Sequence, residues 1–325
     1  MDLFKTVNEK INGKGLKIVF PEGNDERVLG ACVRLHNDKI VHPIVLGNKA
    51  EISALANEKG FDISGLEIID PAEYAEMDAL VNSFVERRKG KIDEAGASKL
   101  LNEDTNYLGT MLVFTGKADG LVSGATRSTG DTVRPALQII KMKEGFKKTS
   151  GVMFLSKGDE ILVFADCAIN IAPDANDLAE TAILSNTTAR QFGIEPRIAM
   201  LSFSSKGSAA SEEVTRVEEA TKLAKERNPE LLIDGELQFD AAYVPSVGKS
   251  KAPNSEVAGK ANAFVFPSLE AGNIGYKIAQ RLGGYEAVGP ILQGLNSPVN
   301  DLSRGCSEED VYKLALLTAA QSLDA

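Results

Sequence analysis

Leu16-Lys17-Ile18-Val19-Phe20, the longer stretch Asp25 to Asn37, and Pro43-Ile44-Val45-Leu46 follow one another near the start of the chain. The outer two are short apolar runs bounded by turn residues, and the middle one has the length and spacing of an amphipathic helix, so the three read as strand, helix, strand. Two strands joined through a helix run parallel, which points to an α/β fold. The alternation continues outward. Leu66-Glu67-Ile68-Ile69 and Gly120-Leu121-Val122-Ser123 read as further strands, with Tyr74 to Lys89 and Ala95 to Lys117 as helices.

A second block begins near Ser150. Val152-Met153-Phe154-Leu155 and Ile161-Leu162-Val163-Phe164 stand either side of Ser156-Lys157-Gly158-Asp159, the pattern of a β-hairpin. Helix Asp174 to Gln191, strand Arg197 to Phe203, helix Ala209 to Arg227, and strands Leu231 to Ile233 and Ala263 to Pro267 follow. At 325 residues, two domains are expected. No Pro/Ser/Gly-rich linker separates them, so pattern places the boundary between Met142 and Thr149: residues 1–145 with 299–325 as one α/β domain, 146–298 as the other. The last helix, from Val311 onward, packs in the second block or returns to the first. A return puts Ser303 and Asp310 beside an interdomain cleft, where α/β enzymes bind ligands.

Composition narrows the function classes. The chain is 43% hydrophobic and 25% charged, as soluble globular proteins are, and its net charge of −10 disfavours nucleic acid as a partner. No run reaches the ~20 apolar residues of a membrane span, and the N-terminus has no signal-peptide core. Cys32, Cys167 and Cys306 lack zinc-site spacing and leave an odd thiol in any disulfide scheme, which fits a cytoplasmic location. His36 and His42 are the only histidines, so a general base elsewhere in the chain is expected to be a carboxylate.

Asn300-Asp301-Leu302-Ser303-Arg304-Gly305-Cys306-Ser307-Glu308-Glu309-Asp310 places a hydroxyl, a guanidinium and a carboxylate around a helix start, where amides and the helix dipole favour an anion. Ser307 and Asp310 also have the spacing of a capping box, which is structural reason enough for both. Ser303 and Arg304 exceed that need. As a base, Asp310 sits where the helix N-terminus stabilises its charged form, while burial in a closed cleft pushes the other way.

Ser123-Gly124-Ala125-Thr126-Arg127-Ser128-Thr129-Gly130-Asp131-Thr132-Val133-Arg134 follows a strand and precedes a helix. Two readings stand for it: a phosphate cradle without the Walker closure, or a polar βα turn with capping hydroxyls. Ser202 to Ala209 reads as a turn in which Ser208 caps the next helix, with an auxiliary ligand contact as the alternative. Gly235-Glu236-Leu237-Gln238-Phe239-Asp240 reads as a structural loop, since its carboxylates match no metal pattern. Arg87-Arg88-Lys89 and Lys141-Met142-Lys143 are basic clusters suited to a small anion or, more simply, to solvated helix ends.

Across the chain these motifs, with Phe20-Pro21-Glu22, Asp234 to Gln238, Gly259-Lys260-Ala261-Asn262 and Gly272-Asn273-Ile274-Gly275-Tyr276-Lys277, resemble the phosphate acetyltransferases in their short, single-module form. The resemblance implies two α/β domains with mostly parallel sheets and an interdomain active-site cleft, similar to the isocitrate and isopropylmalate dehydrogenases, and a homodimer. It also implies reversible acetyl transfer between acetyl phosphate and coenzyme A, with inorganic phosphate as the other product, no obligatory cofactor and no metal. Carried onto matching positions, Asp310 takes the thiol proton, Ser303 orients the thiol or steadies the oxyanion, and Arg304 holds the phosphoryl group. Arg88 and Arg134 match the family's anion-binding arginines, with Arg87 an alternative to Arg88, and Ser128 and Thr129 join them as substrate contacts. Relatives often carry His where Arg127 stands. The rival readings are a phosphate butyryltransferase, a metal- and NAD(P)-dependent decarboxylating dehydrogenase, and a non-catalytic sensor of the same ligands.

Overall fold

The computed structural model describes residues 3–324. In chain order its elements are α1 (Leu3–Ile11), β1 (Lys17–Phe20), α2 (Glu26–Asp38), β2 (His42–Leu46), α3 (Lys49–Lys59), β3 (Glu67–Ile69), a 3-10 turn (Pro71–Glu73), α4 (Met77–Arg88), α5 (Glu94–Glu103), α6 (Thr105–Phe114), β4 (Gly120–Ser123) and α7 (Thr129–Ile139). Then come β5 (Ser150–Lys157), β6 (Glu160–Ala165), α8 (Ala175–Gln191), β7 (Ile198–Leu201), α9 (Glu212–Arg227), β8 (Ile233–Leu237), α10 (Phe239–Tyr243), α11 (Pro245–Lys251), β9 (Ala263–Val265), α12 (Leu269–Arg281), β10 (Glu286–Gln293), β11 (Val299–Asp301) and α13 (Glu308–Ser322). The chain forms two compact units, Phe4–Lys143 with residues 295–324, and Glu144–Gly294.

The first unit is built on a five-stranded, all-parallel sheet in the order β11-β4-β1-β2-β3. Its central strand is fully apolar where it is buried, with Ile18, Val19 and Phe20 sealed from solvent. One face is covered by α2 and α13, whose Leu29, Leu35, Leu314 and Leu317 are buried, and α6 is buried along nearly its whole length. Gly109 lets α6 approach the sheet, because a Cβ there would meet Leu121 at 2.8 Å and Val19 at 2.9 Å. The chain returns from the second unit to add β11 to the edge beside β4, with Asp301 opposite Ser123, and α13 packs back over the sheet.

One expected helix is two. Asp104 sits in extended backbone, ends α5 and caps α6 by accepting the Asn106 amide at 2.9 Å, so Ala95 to Lys117 breaks where a carboxylate competes for the backbone. The second unit carries a six-stranded sheet, β10-β5-β6-β9-β7-β8. The β5–β6 pair is the antiparallel hairpin, β10 adds antiparallel to β5, and β6, β9, β7 and β8 run parallel. Helix α9 starts later than the sequence suggests, because Ser211 rather than Ser208 caps it, accepting from the Val214 amide. Gly235, Glu236 and Leu237 lie in β8 rather than in a loop.

Candidate active site at the strand ends of the first unit

In the five-stranded sheet the chain passes from β1 to β2 and β3 on one side, while β4 pairs with the other side of β1. Loops leaving β1 and β4 therefore part in opposite directions, and the carboxyl ends of these strands form the crevice in which open α/β sheets bind ligands. Three segments meet there. Pro21-Glu22 follows β1, Gly124 to Ser128 follows β4, and Leu302 to Ser307 follows β11.

Glu22 organises the second of them. Only 3% exposed, its Oε2 accepts from the Gly124 and Ala125 amides at 2.8 and 2.9 Å, and its Oε1 from the Thr126 amide (2.7 Å), the Thr126 hydroxyl (2.6 Å) and the Arg127 amide (3.1 Å). This is an anion-binding nest, and its guest is a side chain of the protein itself. The cradle read from sequence is real in form, yet the amides of residues 124–127 are already taken. Arg127 is turned aside as well, paired with Asp104 at 3.3 Å.

Arg27 fixes the third segment. Asp25, the cap of α2, grips the Arg27 guanidinium, with Nη2 to Oδ2 at 2.8 Å; burial pushes the Asp25 carboxyl up, but Arg27 and the Val28 amide together hold it below its usual range. The same guanidinium donates to the carbonyls of Ala125 (2.8 Å), Arg304 (2.9 Å) and Cys306 (3.0 Å). One side chain thus ties the loop after β4 to the loop after β11 chiefly through their backbones, leaving the Ser303 hydroxyl proton and the Arg304 guanidinium uncommitted.

Ser303 and Arg304 are both exposed, the Ser303 hydroxyl accepts from the Gly305 amide at 3.3 Å, and the Arg304 guanidinium has no hydrogen-bond partner among the described residues. Asp310 stands in the first turn of α13, where its Oδ2 accepts from the Ser307 amide (2.8 Å) and hydroxyl (2.9 Å), and the Ser307 hydroxyl accepts from the Asp310 amide (3.2 Å). The capping box therefore occupies one carboxylate oxygen. Oδ1 has no hydrogen bond among the described residues. Beside it the Cys306 thiol is buried and pushed up to about 11, chiefly by desolvation, against the pull of Arg27.

Ser128 and Thr129 head α7 next to the Glu22-held loop. The Ser128 hydroxyl donates to Asp131 at 2.7 Å, which holds that carboxyl below its usual range, and the Thr129 hydroxyl donates to Asp301 at 2.7 Å. Their protons are spent internally. The basic residues resolve differently. Arg87 donates to the carbonyls of Ile139 (2.6 Å) and Ile140 (3.1 Å), closing the end of α7, and stacks on Phe114 at 4.7 Å. Arg88, half-buried, and Arg134, exposed on α7, make no hydrogen bond among the described residues. Burial raises the Tyr107 hydroxyl above its usual range, and the charges of Arg134 and Arg88 both pull against it. The two basic clusters also meet, since Arg87, Lys89, Lys91 and Arg88 together depress Lys141, with Arg87 first among them.

The Ser202 to Ser208 loop of the second unit is closed by comparison. Buried Glu236 accepts from the Ser204 hydroxyl (2.9 Å) and the Gly207 amide (2.8 Å), Lys206 pairs with Asp234 at 2.6 Å, and the Ser208 hydroxyl accepts from the Ser205 amide at 3.0 Å. Sequence reasoning missed Glu22, Arg27 and Asp301 as site residues. A carboxylate immediately after the first strand and an arginine in the first helical turn were the available signals.

Among the described residues no group of three or more His, Cys, Asp or Glu side chains could hold a metal ion, and no helix is long and apolar enough to cross a membrane. Residues 2–319 match the family model described as Phosphate acetyl/butaryl transferase. The chain is 66% identical over 322 residues to the Phosphate acetyltransferase of Bacillus subtilis, covering 99% of each. It is 57% identical to a phosphotransacetylase structure from Streptococcus pyogenes, with a TM-score of 0.95 over 99% of this chain and 98% of that one. A 4-hydroxythreonine-4-phosphate dehydrogenase from Burkholderia phymatum, 14% identical with a TM-score of 0.55 over 95% of this chain and 98% of that one, shares the fold alone. With the family model spanning nearly every residue and a full-length relative two-thirds identical, the chain belongs to the phosphate acetyl/butaryl transferase family.

Proposed function

We propose that this protein is an acyltransferase that moves an acetyl group reversibly between acetyl phosphate and coenzyme A, with inorganic phosphate as the other product. The observation that carries this reading is the full-length match to relatives named for that activity. The geometry of the first unit supports it. Asp310 has one oxygen anchored and one without a bond, which suits it to take the thiol proton of coenzyme A. Ser303 and Arg304 stand out from a loop whose backbone Arg27 holds, and so can meet the developing oxyanion and the phosphoryl group without the loop first being ordered.

In this mechanism the thiolate attacks the acyl carbon, the carbon–sulfur bond forms, and the carbon–oxygen bond to phosphate breaks, with no covalent enzyme intermediate. Arg88 and Arg134 hold the anionic end of coenzyme A, and Ser128 and Thr129 contact substrate at the head of α7. The commitment of Arg87 to the end of α7 supports Arg88 rather than Arg87 for that role. Acetyl is favoured over butyryl by the relatives' names. Turnover of acetyl phosphate by the purified protein, compared with butyryl phosphate, tests the reading, and a preference for butyryl would overturn it.

The same reading takes the protein as a cytoplasmic homodimer. Its three buried free thiols suit a reducing compartment. Ile274, Ile278 and Leu282 form an exposed apolar stripe along α12 and its end, 57%, 53% and 85% exposed, beside a cavity of about 360 Å³ lined by Phe164, Phe239 and Tyr285. A second copy would cover it. Sedimentation of Ile278→Asp is expected to show monomer where the parent is dimer, and an unchanged mass would remove this face from the interface.

A further inference from the structure

We infer that Asp301 is a proton-linked positioning residue: when a phosphate-class anion binds beside Thr129, Asp301 takes up a proton and thereby lets the Thr129 hydroxyl turn its own proton toward the anion. The inference rests on the reading of Ser128 and Thr129 as substrate contacts and adds the group that sets how one of them bonds.

Asp301 ends β11 alongside Ser123 and is 2% exposed. Its Oδ2 accepts the Thr129 hydroxyl at 2.7 Å, while Oδ1 is buried without a hydrogen bond. Gly124 lies against that oxygen with φ +111°, and a Cβ there would come within 2.4 Å of it, so the loop after β4 seals the carboxyl from above. Charged and polar groups face it from the segment after β1 and from α7. Glu22, after β1, and Asp131, on α7, add negative charge, while Thr129 and Thr132, also on α7, offer hydroxyls. Thr132 Oγ1 favours the charged form by proximity, yet lacks the geometry of a hydrogen bond and is itself buried without a partner. No arginine or lysine pairs with Asp301 among the described residues.

A buried carboxyl with anionic neighbours and no paired cation among the described residues is already poised between its two forms. Burial, the largest cause, holds it up at about 6. An arriving phosphate adds a further like charge within reach of Thr129 and drives the carboxyl to its neutral form. The proton comes from solvent and goes to a carboxyl oxygen; no other bond changes. While Asp301 is ionised, Thr129 must donate to it and can only accept from a ligand. Once Asp301 is neutral it can donate to Thr129 Oγ1, and the threonine proton is free to point at a phosphoryl oxygen. Release of the anion returns the proton to solvent.

Sulfate is the probe, because it is a tetrahedral dianion that does not titrate between about pH 5 and 8, where histidine and this carboxyl do. Calorimetric titration of the full-length protein near neutral pH, in buffers of unlike ionisation enthalpy, is expected to show proton uptake on sulfate binding. Affinity is expected to fall by up to about tenfold per pH unit as pH rises above about 6. In Asp301→Asn both the uptake and this pH dependence disappear, because the amide cannot titrate. Difference infrared spectra of the unsubstituted protein read the same event as a protonated-carboxyl band that grows with sulfate, so the test survives a variant that fails to fold. Sulfate binding without proton uptake, or with equal uptake in Asp301→Asn, overturns the inference while leaving the anion site standing. Failure of sulfate and phosphate to bind at all, or binding indifferent to Thr129→Val, overturns the site reading and the inference together.

Discussion

The loop of residues 124–127 after β4 and the loop of residues 204–207 after β7 are each held by one buried glutamate, Glu22 in the first unit and Glu236 in the second. Both follow parallel strands and carry a glycine and a hydroxyl; in sequence the first offers a phosphate cradle or a polar turn, and the second a capping turn or an auxiliary ligand contact. They differ in what remains once the glutamate is satisfied. In the second unit Lys206 and Asp234 close the loop on itself. In the first, Arg27 ties the neighbouring loop in place by its carbonyls, so the Ser303 hydroxyl proton, the Arg304 guanidinium and one oxygen of Asp310 are left without a hydrogen-bond partner among the described residues. The strand ends of the first unit thus become a candidate site through what their supports leave unused.

The sharpest way to break the comparison is to remove each glutamate. Glu22→Ala strands the amides of residues 124–127, each worth about 1–3 kcal/mol when buried without an acceptor, and displaces the loop beside the reacting groups. Unfolding midpoints are expected to fall, and turnover to drop ~10²-fold, the scale of a misplacement near 1 Å. Glu236→Ala should cost comparable stability, with turnover per folded molecule close to that of the parent. Equal losses of turnover in the two variants would erase the distinction drawn here.

A smaller effect separates neighbouring arginines. Arg88→Ala is expected to raise KM for coenzyme A about tenfold, one charge-assisted hydrogen bond's worth, with little change in melting temperature. Arg87→Ala should do the reverse, since its guanidinium serves the end of α7. Reversal of this pattern would show that the adjacent pair had been assigned the wrong way round. Smallest of all, Lys206→Met breaks an ion pair between a partly exposed lysine and a buried aspartate that Lys225 still faces at 3.6 Å, and should change stability by no more than about 1 kcal/mol and turnover not at all.

pH adds a check on the first unit alone. A carboxyl held up at about 6 binds its proton more tightly in the folded chain than in the unfolded one, where ~3.9 is usual. Asp301 therefore subtracts stability as pH rises from about 4 through 6, and the full cost remains above. The gain in melting temperature from Asp301→Asn is expected to grow over that range and then level off. A gain that is flat with pH would show that Asp301 titrates normally.

The sequence made the alternation of strands and helices legible, and with it the α/β class, because buried parallel strands are short apolar runs and their helices carry a clear period. Asp104 was hidden, since one carboxylate inside a long periodic stretch looks like any polar surface residue until it caps a helix. Strand β11 was hidden by its length: Val299, Asn300 and Asp301 carry no alternation to detect. The named groups around Asp310 were visible as motifs. Their supports were not, because Glu22 and Arg27 reach residues roughly a hundred or more positions away, and no local spacing records a contact of that range.

The most direct test of the account is the steady-state rate of acetyl-CoA formation from acetyl phosphate and coenzyme A by Asp310→Asn beside the parent. The amide preserves the capping box acceptor but cannot take a proton. Robust turnover is expected in the parent, and a loss of at least ~10²-fold in kcat in the variant, the low end for a lost general base, with KM for coenzyme A little changed. Turnover in Asp310→Asn near that of the parent, or no acetyl-CoA from the parent, would contradict it.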